Sequence, residues 1–198
     1  MSVTNSNEIK SKIKNHPPKN QGLYDKRNEK DACGVGFVAH IKGKKSHEIV
    51  QQGLTLLTNL THRGATGYDP KLGDGAGLLM QMPDAFMREE AAKLGINLPE
   101  LGQYAVGNLF LPQDAKNRVA CEVIISKIIG EENQTLLGWR DVPVDNGNIA
   151  DAARDVEPCM RHVFVGSKAA DQANFDQNQF ERKCFVIRKR IEHAVRAL

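Results

Sequence analysis

No apolar stretch in the 198 residues approaches the roughly 18 that a membrane-spanning helix needs. No positively charged and then apolar leader opens the chain, which argues against secretion. Cysteine is sparse: Cys33, Cys121, Cys159 and Cys184 lie far apart, with no Cys-x-x-Cys pair. That spacing excludes the common zinc ribbons and redox pairs and suits a reducing cytoplasm. An excess of one charge is missing as well. The 27 basic and 24 acidic residues leave +3, too balanced to point to nucleic acid or an anionic membrane. There is no internal repeat and no low-complexity tract. The regular strand-helix alternation of a doubly wound sheet is also absent, so the mixed order of elements reads as α+β. The chain is long enough to bury a core without disulfides or metal.

The composition changes at residue 33. Residues 1–32 contain Val3, Ile9, Ile13 and Leu23 as their large aliphatic residues, with lysines at 10, 12, 14, 19, 26 and 30 and a Pro17-Pro18 break. Such a segment buries too little apolar surface to offset its ordering entropy, so a disordered leader is expected. Acidic Glu8, Asp25, Glu29 and Asp31 argue against a mitochondrial transit peptide. From Cys33 the pattern alternates: Val35, Phe37, Ala39 and Ile41 predict a strand with one apolar face, Cys33 at its first position on that face. Gly34 and Gly36 fall on the opposite face, where glycine marks close approach by a ligand or another backbone.

Further along, Ser46 caps an expected helix to about Thr61, with Ile49, Val50, Leu54, Leu57 and Leu60 as its buried stripe. A long glycine-rich loop, 62–77, follows; long loops in compact domains are often functional. Strands are expected at 78–82, 104–111, 135–142, 160–165 and 180–188. Helices are expected at 84–94, at 114–129 with Val119, Val123, Ile124 and Ile128 inward and Gly130 as its stop, and over the last ten residues.

Cys33 is the sharpest chemical candidate. Most cysteines simply pack, and that reading is adopted for Cys121, Cys159 and Cys184. Cys33 differs because it sits at the composition boundary, begins a strand and is followed by glycines. Removal of the leader between Ala32 and Cys33 would give it a free α-amine. That amine, with a pKa of about 7.7–8, can take the proton of a thiol near 8.5, directly or through one water. One terminal residue is then both nucleophile and base.

Arg63 is the second candidate. It either complements a helix end or holds a carboxylate with its bidentate guanidinium. His62 reads as a helix-end residue, and Asp69 and Asp74 as caps of their own loop amides. Gly34-x-Gly36 and Gly73-x-Gly75-x-Gly77 lack the remaining parts of dinucleotide and P-loop motifs. The basic run from Arg182 to Arg196 lacks interleaved aromatics and reads as a solvated face.

Three separated motifs together carry a resemblance. They are Asp31-Ala32-Cys33-Gly34-Val35-Gly36-Phe37, His62-Arg63-Gly64-Ala65, and Gly73-Asp74-Gly75-Ala76-Gly77. Phe180-Glu181-Arg182-Lys183 and Val186-Ile187-Arg188-Lys189-Arg190 continue it. In this order they resemble the start of the large chains of the glutamate synthase family, a class II glutamine amidotransferase region of the N-terminal-nucleophile hydrolase type. The resemblance spans roughly residues 22–198.

It implies a four-layer αββα sandwich, with 1–32 a propeptide and 33–198 the front part of the amidotransferase domain. Cys33 would attack the side-chain amide of glutamine, and Arg63 would shape the site around cysteine and substrate. No cofactor is implied for this segment. FMN and an iron–sulfur cluster are implied for the full-length enzyme, where ammonia adds to 2-oxoglutarate. Its implied partners are glutamine, the synthase domains in cis and a small reductase subunit, with no nucleic acid and no membrane. The family's oxyanion-hole Asn-Gly pair and its aspartate for the glutamine α-amine have no counterpart before Leu198. Asn146-Gly147 sits in an unrelated setting. The sequence therefore also leaves open an inactive truncated piece, or a non-catalytic binding module with a structural Cys33.

Overall fold

The computed structural model describes residues 19–22, 25, 34–64, 69, 71–169 and 175–196. Cys33, most of the leader and loop residues 65–68 and 70 lie outside the described residues. The chain divides into two compact units, residues 1–81 and 82–198. The sequence reading does not anticipate that boundary.

The first unit is organised around helix α1, His47–Asn59, which continues as a 3-10 turn, Leu60–Arg63. Ser46 caps α1 as expected, its hydroxyl accepting from the amide of Ile49 at 3.4 Å. The stripe assigned to α1 is only partly covered: Leu54 is exposed, and the buried residue of the helix is Gly53.

Residues 34–40 and 74–81 carry no regular secondary structure, and neither segment belongs to a β-ladder among the described residues. The strands expected there are corrected to irregular segments laid on the helix. A Cβ built on Gly36 would lie 2.6 Å from a methyl of Leu56, and one on Gly34 would lie 2.9 Å from a methyl of Leu60. One on Gly53 would lie 2.9 Å from a methyl of Leu78. Glycine thus does permit close approach here, but the neighbours are leucines of α1. The alternating apolar face points away: Val35, Phe37 and Ile41 are each at least 90% exposed.

The second unit holds the core. Its elements are α2 (Asp84–Lys93), β1 (Tyr104–Leu111), α3 (Ala115–Glu131), β2 (Gln134–Asp141), the single turn α4 (Asp151–Arg154), β3 (Cys159–Ser167) and α5 (Gln177–Val195). The sheet order is β1-β3-β2, with β3 antiparallel to both neighbours. β1 and β2 therefore run in the same direction with β3 slotted between them, a split β-α-β arrangement.

Period-two alternation sends β3 side chains to both faces. Val163 and Val165 meet Cys121, Ile125, Ile128 and Ile129 of α3 and Ile187 of α5. Phe164 points the other way, against Met87 and Ala91 of α2, with Val106, Leu137, Ile96 and Leu98 around them. The unit is a layer of helix, a sheet and a second layer of helices, which makes the chain α+β.

Two expectations fail here for the same reason. Residues 180–188 are helical, not a strand: Phe180, Cys184, Ile187, Ile191 and Ala194 recur at helical spacing, and β-branched Val186 and Ile187 mislead a local reading. In α3 the inward residues are Cys121, Ile125, Ile128 and Ile129, while Val119 and Val123 are exposed. Gly130 does not stop that helix. It ends after Glu131, and Asn133 makes the turn at φ 56°, a left-handed conformation that asparagine tolerates.

Ion pairs fasten the layers. Glu132 accepts from Lys183 at 2.9 Å and from Arg190 at 2.8 Å, joining the end of α3 to α5. Arg140, 7% exposed, donates from Nε to Glu90 of α2 at 3.1 Å and also pairs with it through Nη2.

Candidate functional site

Arg63 ends the 3-10 turn that closes α1, and it is half-buried. Its own Cβ lies 3.2 Å from where a Cβ on Gly34 would sit. The helix and its terminal turn therefore bring Arg63 against the backbone of Gly34, the residue that follows Cys33. Thirty residues of sequence separate the two candidates, and the fold places one beside the immediate neighbour of the other. A guanidinium there has the paired N–H donors that suit a carboxylate.

His62 does what a helix-end residue does: its Nδ1 is 2.9 Å from the carbonyl of Asn59. Asp69 caps its own loop as expected, its Oδ1 accepting from the amide of Lys71 at 2.8 Å. In the 74–81 segment, Gly75 and Gly77 have open space where a side chain would be.

The other cysteines pack. Cys121 is buried in the core between α3 and the sheet, and Cys159 lies against the same core. Burial pushes the Cys184 thiol up to about 11, so it remains protonated and inert at neutral pH. Asn146-Gly147 belongs to the β2–α4 loop, where Asn146 donates to Glu157 at 2.8 Å and the Gly147 amide donates to Asp145 at 3.2 Å. Those are bonds of a self-contained loop. A groove of about 710 Å³ between α3 and α5 is lined by Ile124, Ile128, Phe185, Lys189 and His193 among others, none of them a candidate residue. Sequence reasoning missed Leu56 and had Leu60 only as a member of the buried stripe; the two seat the Gly34-x-Gly36 segment. Their spacing against two alternate glycines is the signal that could have found them.

Comparison with known proteins decides the family. The model of class-II glutamine amidotransferases matches residues 33–198. The chain belongs to that family. Its relatives include the large chain of glutamate synthase [NADPH] from Bacillus subtilis, 49% identical over 90% of this chain and 11% of the relative. Glutamate synthase [NADH] from Schizosaccharomyces pombe is 43% identical over 90% of this chain and 8% of its own length. Ferredoxin-dependent glutamate synthase 2 of Arabidopsis thaliana is 38% identical over 87% of this chain and 10% of its own. The chain thus spans about a tenth of the length of the curated relatives it matches. This class-II amidotransferase region carries its three motifs in the first unit, while the match extends through the second unit as well.

Proposed function

We propose that this region is the glutaminase portion of a glutamate synthase, with Cys33 as the nucleophile. The observation that carries the reading is the seating of Arg63 against Gly34, beside residue 33. In support, the family match begins at Cys33.

Removal of residues 1–32 exposes the α-amine of Cys33, which takes the thiol proton. The sulfur attacks the side-chain carbonyl carbon of glutamine and forms a C–S bond. The C–N bond then breaks, the nitrogen leaving as ammonia with a proton returned by the amine. Water cleaves the thioester, giving glutamate and the free thiol. Arg63 holds the substrate carboxylate. The ammonia serves reductive amination of 2-oxoglutarate in the longer protein, with the remaining synthase domains in cis and a reductase subunit as partners.

Among the described residues no three His, Cys, Asp or Glu side chains converge as metal ligands. FMN and an iron–sulfur cluster are assigned to the longer protein, on the resemblance to the glutamate synthases. No helix of the described residues is long and apolar enough to cross a membrane, and a cytoplasmic location is proposed. The four-layer sandwich is the architecture in which the outward face of Val35, Phe37 and Ile41 is covered by a second sheet.

That same exposed face favours a second reading, in which the 198-residue chain by itself is a non-catalytic module. Two measurements separate the readings. In the full-length enzyme, intact-mass analysis finds an N-terminus at Cys33, and Cys33→Ser loses glutamine-dependent but keeps ammonia-dependent synthesis. A mature enzyme that retains residues 1–32 with full glutaminase activity would defeat the first reading. Robust glutamine turnover by the purified 198-residue chain would defeat the second.

A further inference from the structure

The two rims of the sheet are not alike. β2 is interrupted by a bulge between Leu136 and Gly138 and ends in Arg140-Asp141. Bulges and charges are devices that discourage edge pairing. β1 has neither. Its eight residues carry no charge and no proline, and its register with β3 runs unbroken from Tyr104 opposite Gly166 to Leu111 opposite Cys159. In an antiparallel ladder about half of a rim strand's amides and carbonyls face its one neighbour, and the rest face outward. Among the described residues, no backbone–backbone hydrogen bond joins 104–111 to anything outside that ladder.

Topology says which strand would fit. α3 and α5 pack on the same face of the sheet. Strand–helix–strand crossovers are right-handed in about 98% of cases. With that hand, the chain leaving β1 passes over β3 to reach β2. β3 runs the opposite way, so the same hand carries the chain leaving α5 over β1, to its free rim. A strand arriving there runs parallel to β3 and antiparallel to β1. The rim of β2 lies on the wrong side.

The relatives are nine to twelve times longer than the matched region, by their 8–11% coverage. We propose that the free rim of β1 is the seat of a strand supplied by polypeptide following α5 in the longer proteins of this family, extending the sheet to four strands. The incoming strand is apolar on both faces, because Val106 of β1 faces the α2 layer and Leu109 and Leu111 face α3 and α5.

Amide hydrogen exchange tests this in the 198-residue chain and in the full-length Bacillus subtilis large chain. In the short chain, about half the amides of 104–111 are expected to exchange at least 10-fold faster than those of 159–167, which are paired on both sides. In the long chain the counterpart of β1 is expected to be as slow as that of β3. A slow β1 in a monomeric short chain would mean the rim is already covered. A fast β1 in the long chain would mean nothing seats there. A short chain that light scattering finds dimeric, with β1 slow, would give the rim to a second copy. Each of these three results overturns the proposal.

Discussion

The two units invert the usual relation between core and chemistry. Residues 82–198 contain every buried large apolar side chain among the described residues, from Met87 to Ile187, and none of the three family motifs at the amino-terminal end. Residues 34–81 contain Arg63 and the glycine motifs, and the only buried residue of α1 is a glycine. The lesson concerns what holds the candidate site in place. Here it rests on a thin layer, two irregular segments on one helix, where glycine lets backbone approach leucine. The folded mass lies in the other unit, which carries only the continuing stretches at 180–183 and 186–190. Stability and activity should therefore respond to different substitutions.

The sharpest way to break that separation is at residue 33. Cys33→Ala in the full-length enzyme is expected to lower glutamine-dependent synthesis by at least about 10³-fold, as loss of a nucleophile does. Thermal unfolding should be unchanged. A lowered melting temperature with residual activity would mean that Cys33 packs rather than reacts. Arg63→Ala comes next on the activity side. Losing a charge-assisted pair to the substrate carboxylate is expected to raise KM for glutamine roughly 10–100-fold, with less effect on kcat. Steady-state kinetics at varied glutamine checks it, and an unchanged KM would return Arg63 to a helix-end role.

On the stability side, Phe164 is fully buried at the centre of the sheet. Phe164→Ala is expected to cost about 3–5 kcal/mol by denaturant titration of the second unit. In the 198-residue chain, Phe37→Ala, at a position 90% exposed, is expected to stay within about 0.5 kcal/mol. Comparable losses at the two positions would show that residue 37 is covered in solution.

Gly36→Val brings a side chain into Leu56 and is expected to cost about 1–3 kcal/mol. Limited proteolysis should then open residues 34–46 first, leaving the second unit intact.

The smallest effect is electrostatic. Lys183 and Arg190 hold the Glu132 carboxyl below its ordinary value. Its contribution is present above the unfolded carboxylate pKa of about 4.3 and is lost as pH falls through the lower folded value. Glu132→Gln should flatten that acid limb of a pH–stability curve and leave stability above pH 6 nearly level with pH.

Strand β1 was legible to the residue, because the charge-free and largely apolar run Tyr104–Leu111 is bounded by Pro112. Helices α1 and α2 were legible from Ser46 and from the Asp84 start. Helix α5 was not, because Val186-Ile187 favour a strand locally, and only packing against α3 and the sheet selects the helical face. The inward side of α3 was misread for a related reason. Valines at 119 and 123 and isoleucines at 124 and 128 fit one helical stripe as well as another, and the layout of the sheet chooses.

By itself, the sequence determined which residues could react, because a cysteine at a composition boundary and an arginine in a glycine-rich loop are matters of covalent chemistry and spacing. It also determined the family, through motif order. Tertiary structure alone decided that Arg63 stands next to Gly34 and that the apolar face of Val35 and Phe37 is turned outward. Both depend on where α1 lies against an irregular segment. Nothing in a linear pattern distinguishes a face that meets a helix from one that meets solvent.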